Sequence, residues 1–225
     1  MTLKEHISRI IALGMYDKMT TPTLPLDVNH YVSAGNPGKT FSQYPASLPI
    51  PDTFIMGKSL CNRNDYNLYT VFGNSMLPEG ISSGYELLTQ RVMSEQVRLG
   101  DFIIIEVDRS YYQKRHHGKK PHFDQKLRRA ICPVENTMTI EQLLATLKGT
   151  FAEPLEKKEK KDLRDSLNEA REFYHDTQLF LSITYHDGDI HYSFHPSDHI
   201  RYRVEGAAYS NDNVIVFKTA SEIAE

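Results

Sequence analysis

The chain is organised around the stretch VFGNSMLPEGI, residues 71–81. A mostly apolar run, Tyr69 to Phe72, leads into it and predicts a strand, and a turn follows at once. The glycine and asparagine of the turn tolerate backbone angles that most residues avoid, so a sharp turn can lift the Ser75 hydroxyl out of the strand. The main-chain amides of Asn74, Ser75 and Met76 are then candidates to face a developing oxyanion. The same residues also fit an ordinary surface turn, and the rest of the chain decides between the two interpretations.

Length and composition limit the class of protein. The 225 residues are 40% hydrophobic and carry a formal net charge of -3, which predicts one good core and no overall basic field for nucleic acid. No apolar run approaches the length of a membrane span, and the N-terminus lacks the basic-then-apolar pattern of a secretory signal. The two cysteines, Cys61 and Cys132, form neither a disulfide framework nor a metal-ligand pattern. We therefore expect a cytoplasmic protein that neither spans nor binds a membrane.

The first 50 residues read as a helix followed by an extended arm. Apolar residues at helical spacing predict one short amphipathic helix over residues 2–17. Repeated prolines between residues 20 and 54 exclude long helices and indicate an extended arm. A helix-turn-helix domain needs at least two packed helices, so we expect no direct DNA-binding motif. The predicted division is an N-terminal helix and arm at 1–50 and one domain at 51–225.

From about residue 54 the sequence reads as short strands with turn signals between them, which predicts a mainly β domain. The predicted strands are Tyr66–Phe72, Tyr85–Gln90, Phe102–Val107, Lys126–Ile131, Leu179–Tyr185, Ile190–Phe194, Arg201–Tyr209 and Asn213–Phe217. Two apolar patterns of helical spacing fall within residues 139–175 and predict a helical insertion.

The polar segment at residues 110–125 raises the question of a metal site. His116, His117 and His122 are metal-ligand types, but no cysteine or well-spaced carboxylate pair completes a set. We predict a solvated hairpin tip here, with no metal and no cofactor.

Several short motifs follow one another in an informative order. They are Val32–Pro37, with small residues around Ala34 and Gly35; Gly73-Asn74-Ser75-Met76; Gly80-Ile81; Gly100–Ile105; and Pro133–Asn136. In this order they resemble the LexA/UmuD family of self-cleaving serine peptidases, relatives of bacterial signal peptidase, over most of residues 32–136. The resemblance implies curled antiparallel sheets of the LexA C-terminal type. It also implies a Ser–Lys dyad containing Ser75 and cleavage of the chain's own arm between Ala34 and Gly35.

The chain differs from the family at the position of the catalytic lysine, the general base. The family's lysine lies in an apolar-Lys-Arg-apolar strand, and the matching stretch, residues 127–131, has Arg128 at the lysine position. A guanidinium is effectively always protonated and cannot act as a general base, so the match predicts impaired catalysis. Lys126 is two residues earlier and points to the same face of a strand, so a two-residue change of register makes Lys126 the base. The pattern alone favours Arg128 at this position.

Three functions fit these observations. The first is a UmuD-like regulator, in a stress or phage-type response, that cleaves itself at Ala34–Gly35 with Ser75 and Lys126. The second is a regulator of the same fold with a degenerate site, which binds a protein partner and uses its arm as a docking strand. The third, a peptidase acting on other chains, is the weakest, because nothing marks a separate substrate groove. The resemblance also implies a homodimer, paired through the C-terminal strands near Arg201–Tyr209.

Overall fold

The computed structural model describes residues 66–148, 150, 154–186, 189–211 and 214–223, and three short strands before them. These strands are β1 (Thr23–Pro25), β2 (Tyr31–Ser33) and β3 (Ser47–Pro49). The predicted helix over residues 2–17 and the predicted cleavage site at Ala34 and Gly35 lie outside the described residues.

Strands dominate the described part of the chain, and all eight predicted strands are confirmed. They are β4 (Tyr66–Phe72), β5 (Glu86–Arg91), β6 (Phe102–Glu106), β7 (Gln125–Val134), β8 (Leu179–His186), β9 (Asp189–Pro196), β10 (Ile200–Asn211) and β11 (Val214–Thr219). The helices are α1 (Arg109–Arg115), α2 (Ile140–Leu147), α3 (Lys157–Tyr174) and α4 (Ala220–Ile223). The protein is mainly β, and α2 and α3 confirm the helical insertion. Within the described residues no helix is long and apolar enough to cross a membrane.

The chain forms two compact units. The outer unit contains residues 1–91 and 202–225, and the middle unit contains residues 92–201. The predicted division at residue 50 stays a prediction.

The outer unit contains a sheet in which the order is β2, β4, β5, β10 and β11. Strand β2 runs parallel to β4, with Val32 opposite Val71, and the remaining neighbours are antiparallel. Strands β1 and β3 form a separate antiparallel pair. Apolar side chains of β4, β5 and the turn after β4 fill the core, including Tyr69, Phe72, Met76 and Leu87, which are at most 2% exposed. This core fixes the start of the turn that carries Ser75.

The middle unit contains an antiparallel sheet in the order β6, β7, β8, β9. Successive side chains of a strand point to opposite faces, so the sheet has two distinct surfaces. Leu181, Ile183 and Phe194 belong to a core that includes Leu143, from α2, and residues of α3. A second, smaller core contains Ile103, Ile105, Ala130 and Phe180, which lie on the other face. The insertion therefore covers one face of this sheet only.

The prediction of a solvated hairpin tip at residues 110–125 is wrong for residues 110–115, which are helical, whereas residues 116–120 and 122 are exposed between the antiparallel strands β6 and β7. Residues 109–115 form α1, and the carboxylate of Asp108 caps it by accepting from the amide of Tyr111 at 2.9 Å. Tyr111 is 8% exposed, and its ring centre lies 5.1 Å from that of Phe173 and 4.9 Å from that of Tyr174. A seven-residue helix has almost no intrinsic stability. Its packing partner, α3, begins more than 40 residues later, so the local sequence does not reveal the helix.

Candidate functional site

Ser75 lies, partly buried, in the turn that follows β4. The turn starts at Gly73, which has a φ of 80°, and the amide of Leu77 donates to the carbonyl of Asn74 at 3.0 Å. The neighbouring turn at residues 82–84 braces it. There the amide of Ser83 donates to Oδ1 of Asn74 at 3.1 Å, and the amide of Gly73 donates to Oγ of Ser83 at 3.3 Å. The serine is therefore on a fixed turn, as the sequence predicts. The oxyanion role of the Asn74, Ser75 and Met76 amides stays a prediction.

Replacing Gly80 with alanine is expected to destabilise this turn. Gly80 has a φ of 80°, and an added Cβ would come 3.2 Å from the carbonyl oxygen of Ile223. Gly84 is a matched control, since its φ is 91° and an added Cβ would meet nothing within 4 Å. Alanine costs about 1–2 kcal/mol in this backbone region, so Gly84→Ala should lose about that amount and Gly80→Ala more. Urea denaturation measures both, and equal losses would contradict a role for the Ile223 contact.

The two candidate bases lie on β7, in the middle unit. Lys126 is opposite Ile105 and Arg128 is opposite Ile103, so both point to the face of the sheet that the insertion leaves uncovered. Arg128 is 8% exposed, and its Nη1 donates to the carbonyl of Leu127 at 2.8 Å. Its buried Nε has no hydrogen-bond partner within the described ranges. Among the described residues no carboxylate forms an ion pair with Lys126 or Arg128.

Burial and neighbouring positive charges separate the two groups chemically. Burial, and then the charge of Arg115, lowers the pKa of Arg128 to about 10, so the guanidinium stays protonated at neutral pH. Burial, followed by the charges of Arg128 and Arg115, lowers the pKa of Lys126 to about 7. A large fraction of Lys126 is therefore a neutral amine near pH 7, which is the state that a general base requires.

Lys126 also contacts the helix that the sequence prediction missed. Its Nζ lies 4.5 Å from the centre of the Tyr112 ring. Arg115, from the same helix, is partly compensated, because its Nη2 donates to Oγ of Ser166 at 3.1 Å and its Nε lies 3.5 Å from a carboxylate oxygen of Glu169. Helix α1 thus helps to bury Lys126 and adds a positive charge beside it.

His195 is a further member of this region that the sequence analysis missed. Its Nε2 lies 3.0 Å from Oγ of Ser182. Burial and the charges of Arg128 and Lys126, in that order, hold its pKa well below the ordinary value, so it is neutral at pH 7. The predicted strand ended at Phe194. Extending this strand by one residue would have placed the side chain of His195 on the same face as that of Ser193, because side chains alternate between the two faces.

The predicted site residues divide between the units. Ser75 belongs to the outer unit, and Lys126 and Arg128 belong to the middle unit. The pairing of Ser75 with either basic side chain stays a prediction. No group of three or more histidine, cysteine or acidic side chains suited to a metal occurs among the described residues.

Strand β2, in the arm, ends one residue before the predicted cleavage site and pairs with β4. The last residue of β2, Ser33, is opposite Phe72, the last residue of β4. Ala34 is the next residue of the arm, and Ser75 is the third residue after Phe72. The arm therefore pairs, within its own chain, with the strand that leads to the serine.

Comparison with protein-family models, curated proteins and solved structures found no match. The likeness to the LexA/UmuD family rests on the motifs quoted above.

Proposed function

We propose that the chain is a LexA/UmuD-like regulator that cleaves its own arm between Ala34 and Gly35, with Ser75 as nucleophile and Lys126 as base. The pairing of β2 with β4 carries this proposal, because it docks the arm that leads to Ala34 beside the strand that leads to Ser75. An intramolecular substrate loses little translational entropy, so its effective concentration can be high. Incubation of the purified chain followed by intact mass measurement tests the proposal.

The choice of Lys126 over Arg128 rests on their protonation states. Lys126 has a pKa of about 7, whereas Arg128 stays charged. The proposal therefore adopts the two-residue change of register in place of the register that the sequence pattern favours. Arg128 then acts through Lys126, since its fixed positive charge lowers the pKa of the lysine. In this account Arg128 is a positioning residue and not a catalytic one.

The chemistry conserves protons at each step. Oγ of Ser75 attacks the carbonyl carbon of Ala34, and the serine proton passes to the neutral Nζ of Lys126. The protonated lysine then gives that proton to the amide nitrogen of Gly35 as the peptide bond breaks. Lys126, neutral again, takes a proton from the water that hydrolyses the ester and returns it to Ser75.

The second candidate function is a partner-binding module without catalysis. One specific observation favours it: a buried arginine occupies the position where the resemblance implies the family's lysine. In that case the arm serves only as a docking strand for its own chain or a partner. Absence of cleavage at any pH, together with normal folding, distinguishes this function from the first.

The proposal includes a homodimer, for which the sheet of the outer unit offers a candidate edge. Strand β10 does not itself offer an edge, because it pairs with β5 on one side and β11 on the other. Among the described residues β11, with the sequence VIVFKT, pairs only with β10. An unpaired edge strand can pair with a second copy. We expect sedimentation to give a dimer mass that falls on replacing Ile215 with proline, and a wild-type monomer at all concentrations would contradict this expectation.

A further inference from the structure

The face of the middle-unit sheet opposite the insertion carries polar side chains beside the second, smaller core. Ala130 is opposite Ser182, and Ser182 is opposite Ser193, so these residues and their alternate neighbours share one face. That face includes Lys126 and Arg128 on β7, Ser182 on β8 and His195 on β9. Leu181, Ile183 and Phe194 point to the opposite face, into the core.

The charges that the described residues place on this face are not balanced. A buried cation normally requires an anionic partner, because leaving water is costly for a charged group. Arg128 is more than nine-tenths buried. In the part of the chain that the structure describes, its Nε has no hydrogen-bond partner and its one hydrogen bond is to a neutral carbonyl. No described carboxylate forms an ion pair with Lys126 or Arg128. The arrangement therefore has the composition of an anion site: two cations and an uncharged imidazole–hydroxyl pair, His195 and Ser182.

We infer that Lys126, Arg128 and the His195–Ser182 pair bind a tetrahedral dianion of the phosphate or sulfate class. Two positive charges compensate a dianion, whereas a single carboxylate would leave one of them unbalanced. A guanidinium offers several donors in a planar fork, and the imidazole and hydroxyl can contribute hydrogen bonds without adding charge. Ser182 is opposite Ala130, two residues after Arg128 on the same face, and Nε2 of His195 lies 3.0 Å from Oγ of Ser182. The pair therefore lies about two residues along the sheet from Arg128, next to β7.

Binding at this site would regulate the proposed cleavage, and this second part rests on the proposed function. A dianion beside Lys126 favours the ammonium form of the lysine, so the pKa of Lys126 should rise by about one pH unit or more. The neutral amine would then become scarce near pH 7 and cleavage would slow about tenfold. Among the described residues, the other titratable or charged groups that act on this region are Arg115 and His116 of α1, Glu169 of α3 through Arg115, and His199 beside β9.

Calorimetric titration with sodium sulfate tests binding independently of cleavage, because Ser75→Ala keeps the chain whole. Sulfate remains a dianion across the neutral and alkaline range, so a change of affinity with pH reports protons of the protein. We expect saturable binding that weakens as pH rises through 7, as Lys126 loses its charge. Phosphate should bind similarly, while acetate and chloride at equal ionic strength should bind much more weakly. Acetate binding as tight as sulfate would overturn the assignment to a dianion.

Substitutions at two neighbouring arginines test whether Arg128 contributes to sulfate binding. Arg128→Met should weaken sulfate binding about tenfold or more, because a charge-assisted donor is lost, and Arg128→Lys should lose less. Arg129→Met removes the same charge from the same strand, but Arg129 points to the other face, with its guanidinium carbon 5.1 Å from the centre of the Phe102 ring. It should leave binding nearly unchanged. Equal losses of sulfate affinity in Arg128→Met and Arg129→Met would overturn the site even if cleavage occurs. So would the absence of saturable sulfate binding to the Ser75→Ala chain with both arginines intact.

Discussion

Lys126→Ala is expected to abolish cleavage between Ala34 and Gly35. Lys126 is the one described candidate base whose pKa, about 7, allows it to take the proton of Ser75 near neutral pH. Loss of a general base typically costs roughly 10²–10⁴-fold in rate. Arg128→Ala should retain measurable cleavage at alkaline pH, because the base itself remains. Gel electrophoresis of the two variants and Ser75→Ala, incubated in parallel at pH 7 and pH 10, gives the comparison.

The opposite result would support the sequence-based assignment of Arg128 to the base position. If Arg128 occupies the base position of a degenerate site, the wild-type chain stays whole and Arg128→Lys is the variant that gains cleavage. Retention of cleavage in Lys126→Ala would remove Lys126 from the mechanism altogether. Circular dichroism of each variant separates these outcomes from a failure to fold.

Arg128→Met is expected to move the pH dependence of cleavage upward. Cleavage requires neutral Lys126, so the rate rises with pH through the pKa of that lysine and levels off above it. Burial is the largest cause of the low pKa and remains in the variant, whereas the charge of Arg128, the next cause, is removed. The pKa should therefore rise but stay below its ordinary value, with the midpoint of the profile moving up by about one pH unit. At pH 7 the variant should be about tenfold slower, and at pH 10 nearly as fast as the wild type.

Arg129→Met supplies the control for this shift. It deletes the same charge one residue away, on the opposite face of β7, and should leave the midpoint near pH 7. A uniform loss of rate in Arg128→Met at every pH would contradict the positioning role. It would indicate instead that Arg128 contacts the reacting groups directly.

The sequence predicted the strands well because their signals are local. Strand β4 has the predicted bounds, Tyr66–Phe72, and β6 differs from its prediction by one residue. Runs of β-branched and aromatic residues bounded by turn residues are sufficient for such elements. The turn at Ser75 was predictable for the same reason, since Gly73 and Asn74 specify it within a few residues.

The remaining features depend on contacts that are distant in the chain. Strand β2 has three residues, and its pairing with β4 crosses more than 30 positions, so no local pattern reveals it. Helix α1 depends on Phe173 and Tyr174, which cover Tyr111. The choice of register between Lys126 and Arg128 was beyond the sequence, because alternation assigns both to one face. The sequence alone excludes Arg128 as a base at neutral pH, but the pKa of Lys126 depends on its burial and its charged neighbours, which no local pattern reveals.

Self-cleavage is tested by the intact mass of the purified wild-type chain during incubation from pH 6 to pH 10, with Ser75→Ala measured beside it. We expect two products, residues 1–34 and 35–225, at a rate that rises with pH around 7 and does not depend on protein concentration, as intramolecular cleavage requires. Ser75→Ala should remain at the full-length mass throughout. A wild-type chain that is folded yet stays whole across this range, or that is cut at another bond, would contradict self-cleavage by Ser75 and Lys126.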